Sequence, residues 1–266
     1  MSTLELVELE LDGARVRALD SGGVPGSDAA PLLYLHDAEH HPGPAPFLEA
    51  LAERRRVIAP EYPGYGASEG GERIAELSDL VLYLRRLAGG LDAAPLDVVG
   101  HGLGGMVGAE LAIWCPQLVR RLVLVGAYGL WLDDVPVPDP YTMSPDERRR
   151  AQWHDAGAAP EQEPMLAVPG VDDEHARAVL RAQNLAMSTK FLWPLPERGT
   201  VRRLHALEAP VLVVHGEADG LVPPAYAEAW AAAVPQGRVE LMVGAAHLPM
   251  LERPTDFVAV VERFLS

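Results

Sequence analysis

The chain has 266 residues, 48% hydrophobic and 23% charged, enough to bury a sizeable core as one large α/β domain or two small ones. Its 22 Lys and Arg against 38 Asp and Glu give a formal charge of −16, a field that repels phosphate backbones and anionic lipid and makes nucleic acid a poor partner. A single cysteine, Cys115, excludes an intrachain disulfide framework and any multi-cysteine metal site, leaving packing to hold the interior.

The first residues alternate apolar side chains with Glu and Arg, without the basic and apolar regions of a secretory signal. No uncharged apolar run approaches the ~18 residues that a membrane span needs, so a cytoplasmic protein without membrane attachment is expected. Leu4 to Asp20 reads as two strands of period two turning at Asp12 and Gly13, an antiparallel edge. Pro31 to Leu35 and Arg56 to Pro60 are short apolar runs separated by the helix-like FLEALAERR. Leu96 to Gly100 feeds directly into a helical run, Met106 to Trp114, and Leu122 to Gly126 follows. Runs that are continuously apolar indicate strands covered on both faces.

From Gly129 to about Thr200 no strand-like run occurs, and the stretch reads as an inserted helical lid. Ser144, Pro145, Asp146 and Glu147 form a capping box with Pro at the first helical position. A second helix starts at Asp172 or Asp173 and runs toward Ser188, and Ala156 to Gly170 is the segment expected to be most mobile. Alternation then resumes with strand Val211 to His215, helix Pro224 to Val234, strand Val239 to Val243 and helix Asp256 to Leu265. Residues 1–128 and 201–266 thus form one α/β core around a mostly parallel, doubly wound sheet of about eight strands, with 129–200 inserted.

Strand LDVVG, then His101, Gly102, Leu103, Gly104 and Gly105, then a helix, is the strand-turn-helix setting of a nucleophile elbow, with G-H-G-L-G where the motif has G-x-S-x-G. Here the chain resembles the α/β-hydrolase superfamily over nearly its whole length. The landmarks occur in the family's order: His36 ending a strand, the segment PEYPGYGAS from Pro60 to Ser68, the elbow, Asp219 in HGEADGLVP and His247 in GAAHLPMLERP. The resemblance implies that His247 is the base, Asp219 its orienting acid, and Gly102 the nucleophile position without a side chain. It also implies an oxyanion hole from the backbone N–H groups of Ala38 and Leu103. Where the family shows His-Gly, this chain reads His36-Asp37, and a carboxylate there opposes a developing oxyanion.

No other residue replaces the serine well. Ser68 belongs to a structural turn, Cys115 lies at the far end of the elbow helix, and Tyr128 is a weak nucleophile with an ordinary pKa near ~10. The run HDAEHH with His101 and His247 suggests metal ligands, but adjacent loop residues rarely converge, and no metal or cofactor is expected. His154, His175, His205 and His215 read as structural. Asp37, His101 and Tyr128, with the aromatic Trp131, Trp153, Phe191 and Trp193, are the candidate substrate contacts.

Three functions follow. In the first, His247 oriented by Asp219 activates water, in the room left by the missing side chain, to hydrolyse an ester, a lactone or a C–C bond of a small apolar substrate. In the second the pocket binds a small apolar molecule without chemistry. In the third a serine hydrolase has been inactivated by substitution at position 102. A monomer or homodimer is expected in each case.

Overall fold

The computed structural model describes residues 4–39, 43, 45–91, 93–159, 173–194 and 196–266. In chain order the elements are β1 (Glu5–Leu11), β2 (Ala14–Asp20), β3 (Leu32–Leu35), α1 (Pro46–Ala52), β4 (Val57–Pro60), α2 (Leu77–Gly90), β5 (Leu96–His101), α3 (Leu103–Trp114) and β6 (Val119–Val125). Then follow α4 (Pro145–Gln152), α5 (Glu174–Leu192), α6 (Thr200–Arg203), β7 (Val211–Gly216), α7 (Ala225–Ala233), β8 (Gly237–Met242), α8 (Pro249–Glu252) and α9 (Pro254–Leu265). The strands form one eight-stranded sheet in the order β1-β2-β4-β3-β5-β6-β7-β8. β1 with β2 and β2 with β4 are antiparallel, and the other neighbours are parallel.

The central strands are apolar throughout because both of their faces are covered. On one face α2, α3 and α7 pack through Leu80, Leu84, Met106, Val107 and Trp230. On the other, Phe47 and Leu51 of α1 meet Phe257 and Val261 of α9. Cys115 is buried at the end of α3. No helix among the described residues is long and apolar enough to cross a membrane.

The helix α2 is an element the sequence reading omits, although Leu77, Leu80, Val81, Leu84, Leu87 and Ala88 are buried at helical spacing. β6 starts three residues before the expected Leu122, across Val119, Arg120 and Arg121. Arg120 is tolerated there because its guanidinium meets the buried Asp97 carboxylate and the Leu265 carbonyl. Between β6 and β7 no strand occurs among the described residues. Ser144 caps α4, with Glu147 N–H on its Oγ and its own N–H on Glu147 Oε2 at 2.8 Å. Asp173 caps α5, which runs four residues beyond the expected Ser188. Most of the 156–170 segment, expected to be mobile, lies outside the described residues.

Glycine lets α3 approach the sheet. A Cβ on Gly104 would overlap the Leu35 carbonyl, and one on Gly100 would overlap that of Gly104. Overpacking a rigid contact of this kind typically costs ~1–3 kcal/mol. Gly104→Ala should therefore lower stability by about that amount in urea unfolding. Gly89→Ala, where a Cβ meets nothing within 4 Å in α2, should be neutral or stabilising by up to ~1 kcal/mol.

Candidate active site

The β5–α3 turn brings Gly102 to φ 53 and ψ −113, in the left-handed half of conformational space where a Cβ is strained. Its backbone is pinned on both sides: the Gly102 N–H donates to the Val125 carbonyl at 2.9 Å, and the Tyr128 N–H donates to the Gly102 carbonyl at 3.1 Å. A Cβ at this position would collide with the Asp37 carboxylate. The space expected to be left open by the missing side chain is therefore filled by Asp37.

The loop after β3 delivers that carboxylate. His36 Nδ1 donates to the Asp37 carbonyl at 2.8 Å, while its Nε2 accepts from the Tyr62 N–H at 3.1 Å. The imidazole thus ties the start of this loop to the Pro60–Ser68 turn. Asp37 Oδ1 accepts from the Leu103 N–H at 2.7 Å, and Oδ2 lies 3.3 Å from His247 Nε2. Of the two expected oxyanion donors, the Leu103 N–H is thus engaged by the protein's own carboxylate. Ala38, which follows, is buried.

His247 stands in the loop after β8 and Asp219 in the loop after β7. His247 Nδ1 donates to Asp219 Oδ2 at 2.9 Å, and the Leu221 and Val222 N–H groups donate to Asp219 Oδ1, each at 2.9 Å. His215 Nε2 donates to the Val222 carbonyl and lies 3.3 Å from Asp219 Oδ2. Burial alone would depress the His247 pKa, but Asp219, by charge and hydrogen bond, and then Asp37 outweigh it and raise the value to about 10. Burial likewise works against ionised Asp219, yet the charge of His247 and the hydrogen bonds from His215 and His247 hold its carboxyl well below the usual range. Both ring nitrogens of His247 thus face carboxylate oxygens, an arrangement that favours the imidazolium. As built it is a proton donor first and a base only after losing a proton.

His101 Nε2 donates to the His247 carbonyl at 2.9 Å, and the two rings lie 4.7 Å apart. Asp37, His101 and His247 offer ligand atoms within 4.8 Å of one another, the cluster among the described residues that could hold a metal. A metal would have to displace the proton that His247 Nε2 directs at Asp37. Tyr128, with its ring 6.2 Å from His247, forms the inner wall of a cavity of about 130 Å³ that Trp131, Tyr141, Leu192 and Trp193 also line. Phe191 is instead packed into the core beneath α3, and Trp153 into the cluster on the opposite face of the sheet.

Sequence reasoning missed Glu39. It is buried, paired with Arg148 of α4 and, at 2.7 Å, with Arg181 of α5, while its carbonyl accepts from Asn184 Nδ2 at 3.2 Å. The only available signal was an acidic residue in a loop that the chain keeps close to the site. Ser68 is structural, as read: its Oγ accepts from the Arg17 N–H at 2.9 Å beside the buried Arg17–Glu61 pair.

A family model described as the alpha/beta hydrolase family matches residues 24–260. The chain is 30% identical over 274 residues to the dihydrolipoyllysine-residue acetyltransferase component of the acetoin cleaving system of Cupriavidus necator, covering 97% of this chain and 68% of that one. It is 28% identical over 283 residues to 2-hydroxymuconate semialdehyde hydrolase of Pseudomonas sp. (strain CF600), covering 97% of this chain and 93% of that one. Among solved structures, a membrane phospholipase A described as a bacterial virulence factor aligns with a TM-score of 0.76 at 19% identity, over 98% of this chain and 86% of that one. At that identity the likeness is one of fold. The sheet order and the span of the family match lead to one conclusion: this chain belongs to the alpha/beta hydrolase family.

Proposed function

We propose that this protein is a hydrolase of a small apolar substrate that works without a serine nucleophile. In this reading Gly102 stands at the nucleophile position, and 129–200 covers the site as a lid. His247, oriented by Asp219, carries the protons. The observation that supports it best is the Asp37 carboxylate, which takes the room of the absent side chain and bridges the Leu103 N–H and His247 Nε2. Besides its ion pair with His247, Asp219 accepts hydrogen bonds from the Leu221 and Val222 N–H groups, an arrangement suited to fixing the orientation of the imidazole ring. The cavity beyond Tyr128, walled by Trp131, Leu192, Trp193 and prolines with Asp139 among them, suits a small substrate with both apolar and polar groups.

A screen against short p-nitrophenyl esters, lactones, diketones and epoxides tests this reading. Turnover by the parent that His247→Ala reduces by roughly 10² to 10⁴ supports it, with a smaller loss for Asp219→Asn. Binding of such compounds with no turnover of any of them would favour a small-molecule-binding protein instead.

Gly102→Ser should lower stability by about 1–3 kcal/mol, through the positive φ and the clash with Asp37. The pair Gly102→Ser and Asp37→Gly should be more stable than the sum of its single substitutions, because each relieves the fault the other creates. Urea unfolding of the four proteins checks both points.

The His247 proton carries a sign that can be measured. A folded pKa raised above the unfolded value of ~6.5 contributes stability fully present below that pH and lost as pH rises through about 10. Imidazole NMR should find His247 still protonated at pH ~8, and Asp37→Asn should move its titration downward. A ring that titrates near ~6.5 in the parent would contradict the two-carboxylate site.

A further inference from the structure

We propose that the cavity beyond Tyr128 is a binding site for an organic ammonium group, carried at one end of an otherwise apolar substrate. The substrate assignment rests on the hydrolase reading above, whereas the binding site stands on the geometry of the cavity.

The cavity, of about 130 Å³, is lined by Tyr128, 3% exposed, and by Trp193, 52% exposed. Its inner end therefore lies against the ring that stands 6.2 Å from His247, and its outer end meets solvent. The Tyr141 and Trp193 rings lie 6.5 Å apart at 81°, two walls at nearly a right angle, and Trp131 adds a third aromatic surface. Two of these residues turn their polar tips to the protein. The Tyr141 hydroxyl shares a hydrogen bond with Ser188 Oγ at 2.8 Å, and Trp131 Nε1 donates to Asp133 Oδ1 at 3.1 Å. What they leave for a guest is ring surface, whose negative face attracts cations.

Among the described residues one charged side chain lines the cavity, Asp139. Its Oδ1 accepts from the Tyr141 N–H at 2.9 Å, and no basic side chain among the described residues pairs with it. Arg198, whose charge acts on Tyr141, donates instead to the carbonyls of Phe191 and Trp193 and does not line the cavity. From Trp131 to Tyr141 the chain reads WLDDVPVPDPY, with three Asp and no basic residue. The formal charge of −16 over the whole chain adds a field that gathers cations at the surface.

These features select a guest by its charge. A carboxylate or phosphate would meet Asp139 with no cation opposite. A wholly apolar guest would strip water from the half-buried Asp139 and return nothing for it. An alkylammonium gives carbon to the rings and to Pro138 and Pro140, and its charge to the ring faces and the carboxylate together. With the cation seated among Trp131, Tyr141 and Trp193, the rest of the molecule extends past Tyr128 toward His247.

Three compounds of one shape isolate the charge: choline, its uncharged isostere 3,3-dimethyl-1-butanol, and the anion 3,3-dimethylbutanoate. Ligand-observed NMR titration of the full chain should find choline bound roughly tenfold or more tighter than the alcohol, with the anion unbound and the preference shrinking as salt rises. Asp139→Asn keeps an acceptor for the Tyr141 N–H, and Trp193→Leu keeps an apolar wall, yet each should cut the choline-to-alcohol preference several-fold. Equal affinities in the parent, binding of none of the three, or a preference that neither substitution alters overturns the inference. The hydrolase reading is tested apart, with p-nitrophenyl esters of 4-(trimethylammonio)butanoate and of its neutral isostere 5,5-dimethylhexanoate. His247-dependent turnover of both with equal kcat/KM removes the ammonium assignment and leaves the hydrolase. Preference for choline with turnover of neither ester leaves the binding site and removes the substrate assignment along with the hydrolase reading on which it rests.

Discussion

One carboxylate organises the centre of this molecule. Asp37 reaches across from the end of β3 to the start of α3 and to the loop after β8, and its two oxygens join a backbone donor to an imidazole. The surroundings are dry: His36, His101 and His247 are fully buried and Asp37 is 2% exposed. A carboxylate in such a place survives only if its charge is matched, and here the match is the His247 imidazolium, itself shared with Asp219. Removing either carboxylate alters the protonation of the ring between them.

The sheet makes that convergence possible. β3, β5, β6 and β7 are parallel neighbours, so the loops at their C-terminal ends emerge side by side. β8 pairs with β7 in the same sense and brings the His247 loop to the same edge. α3 must then start within contact of β3, which the bare backbone at Gly104 permits. The close approach of α3 and the position of the carboxylate therefore share one cause, the glycines at 100, 102, 104 and 105, whose bare backbone leaves no Cβ in the way.

Much of the framework was legible in the sequence because its signals are local. The apolar runs LLYL, VIAP, LDVVG and VLVVH all became strands, with ends moved by a residue or two. The early start of β6 was not legible, since Arg120 is held there by Asp97, from another strand, and by the chain's last turn. The same limit applies at the site. Gly102 and Asp37 each stood out as a departure from the family pattern, but Asp37 read as an obstacle to an oxyanion. That the carboxylate fits the space left by the glycine is a relation across 66 positions to Leu103 and 210 positions to His247. No periodicity or motif encodes it. Phe191 and Trp153 show the converse, aromatic residues near the site in sequence whose rings the packing of the core claims.

Two residues after Asp37, Glu39 sets its carboxylate between Arg148 of α4 and Arg181 of α5. Only 4% of the Glu39 side chain and 6% of that of Arg148 meet solvent, and parting a buried pair of this kind costs on the order of 3–5 kcal/mol. The short backbone from Glu39 to Asp37 is thus anchored to both helices. A shift of either helix would pull on the loop that positions the Asp37 carboxylate. The seating of two helices and the direction of one carboxylate are mechanically one variable.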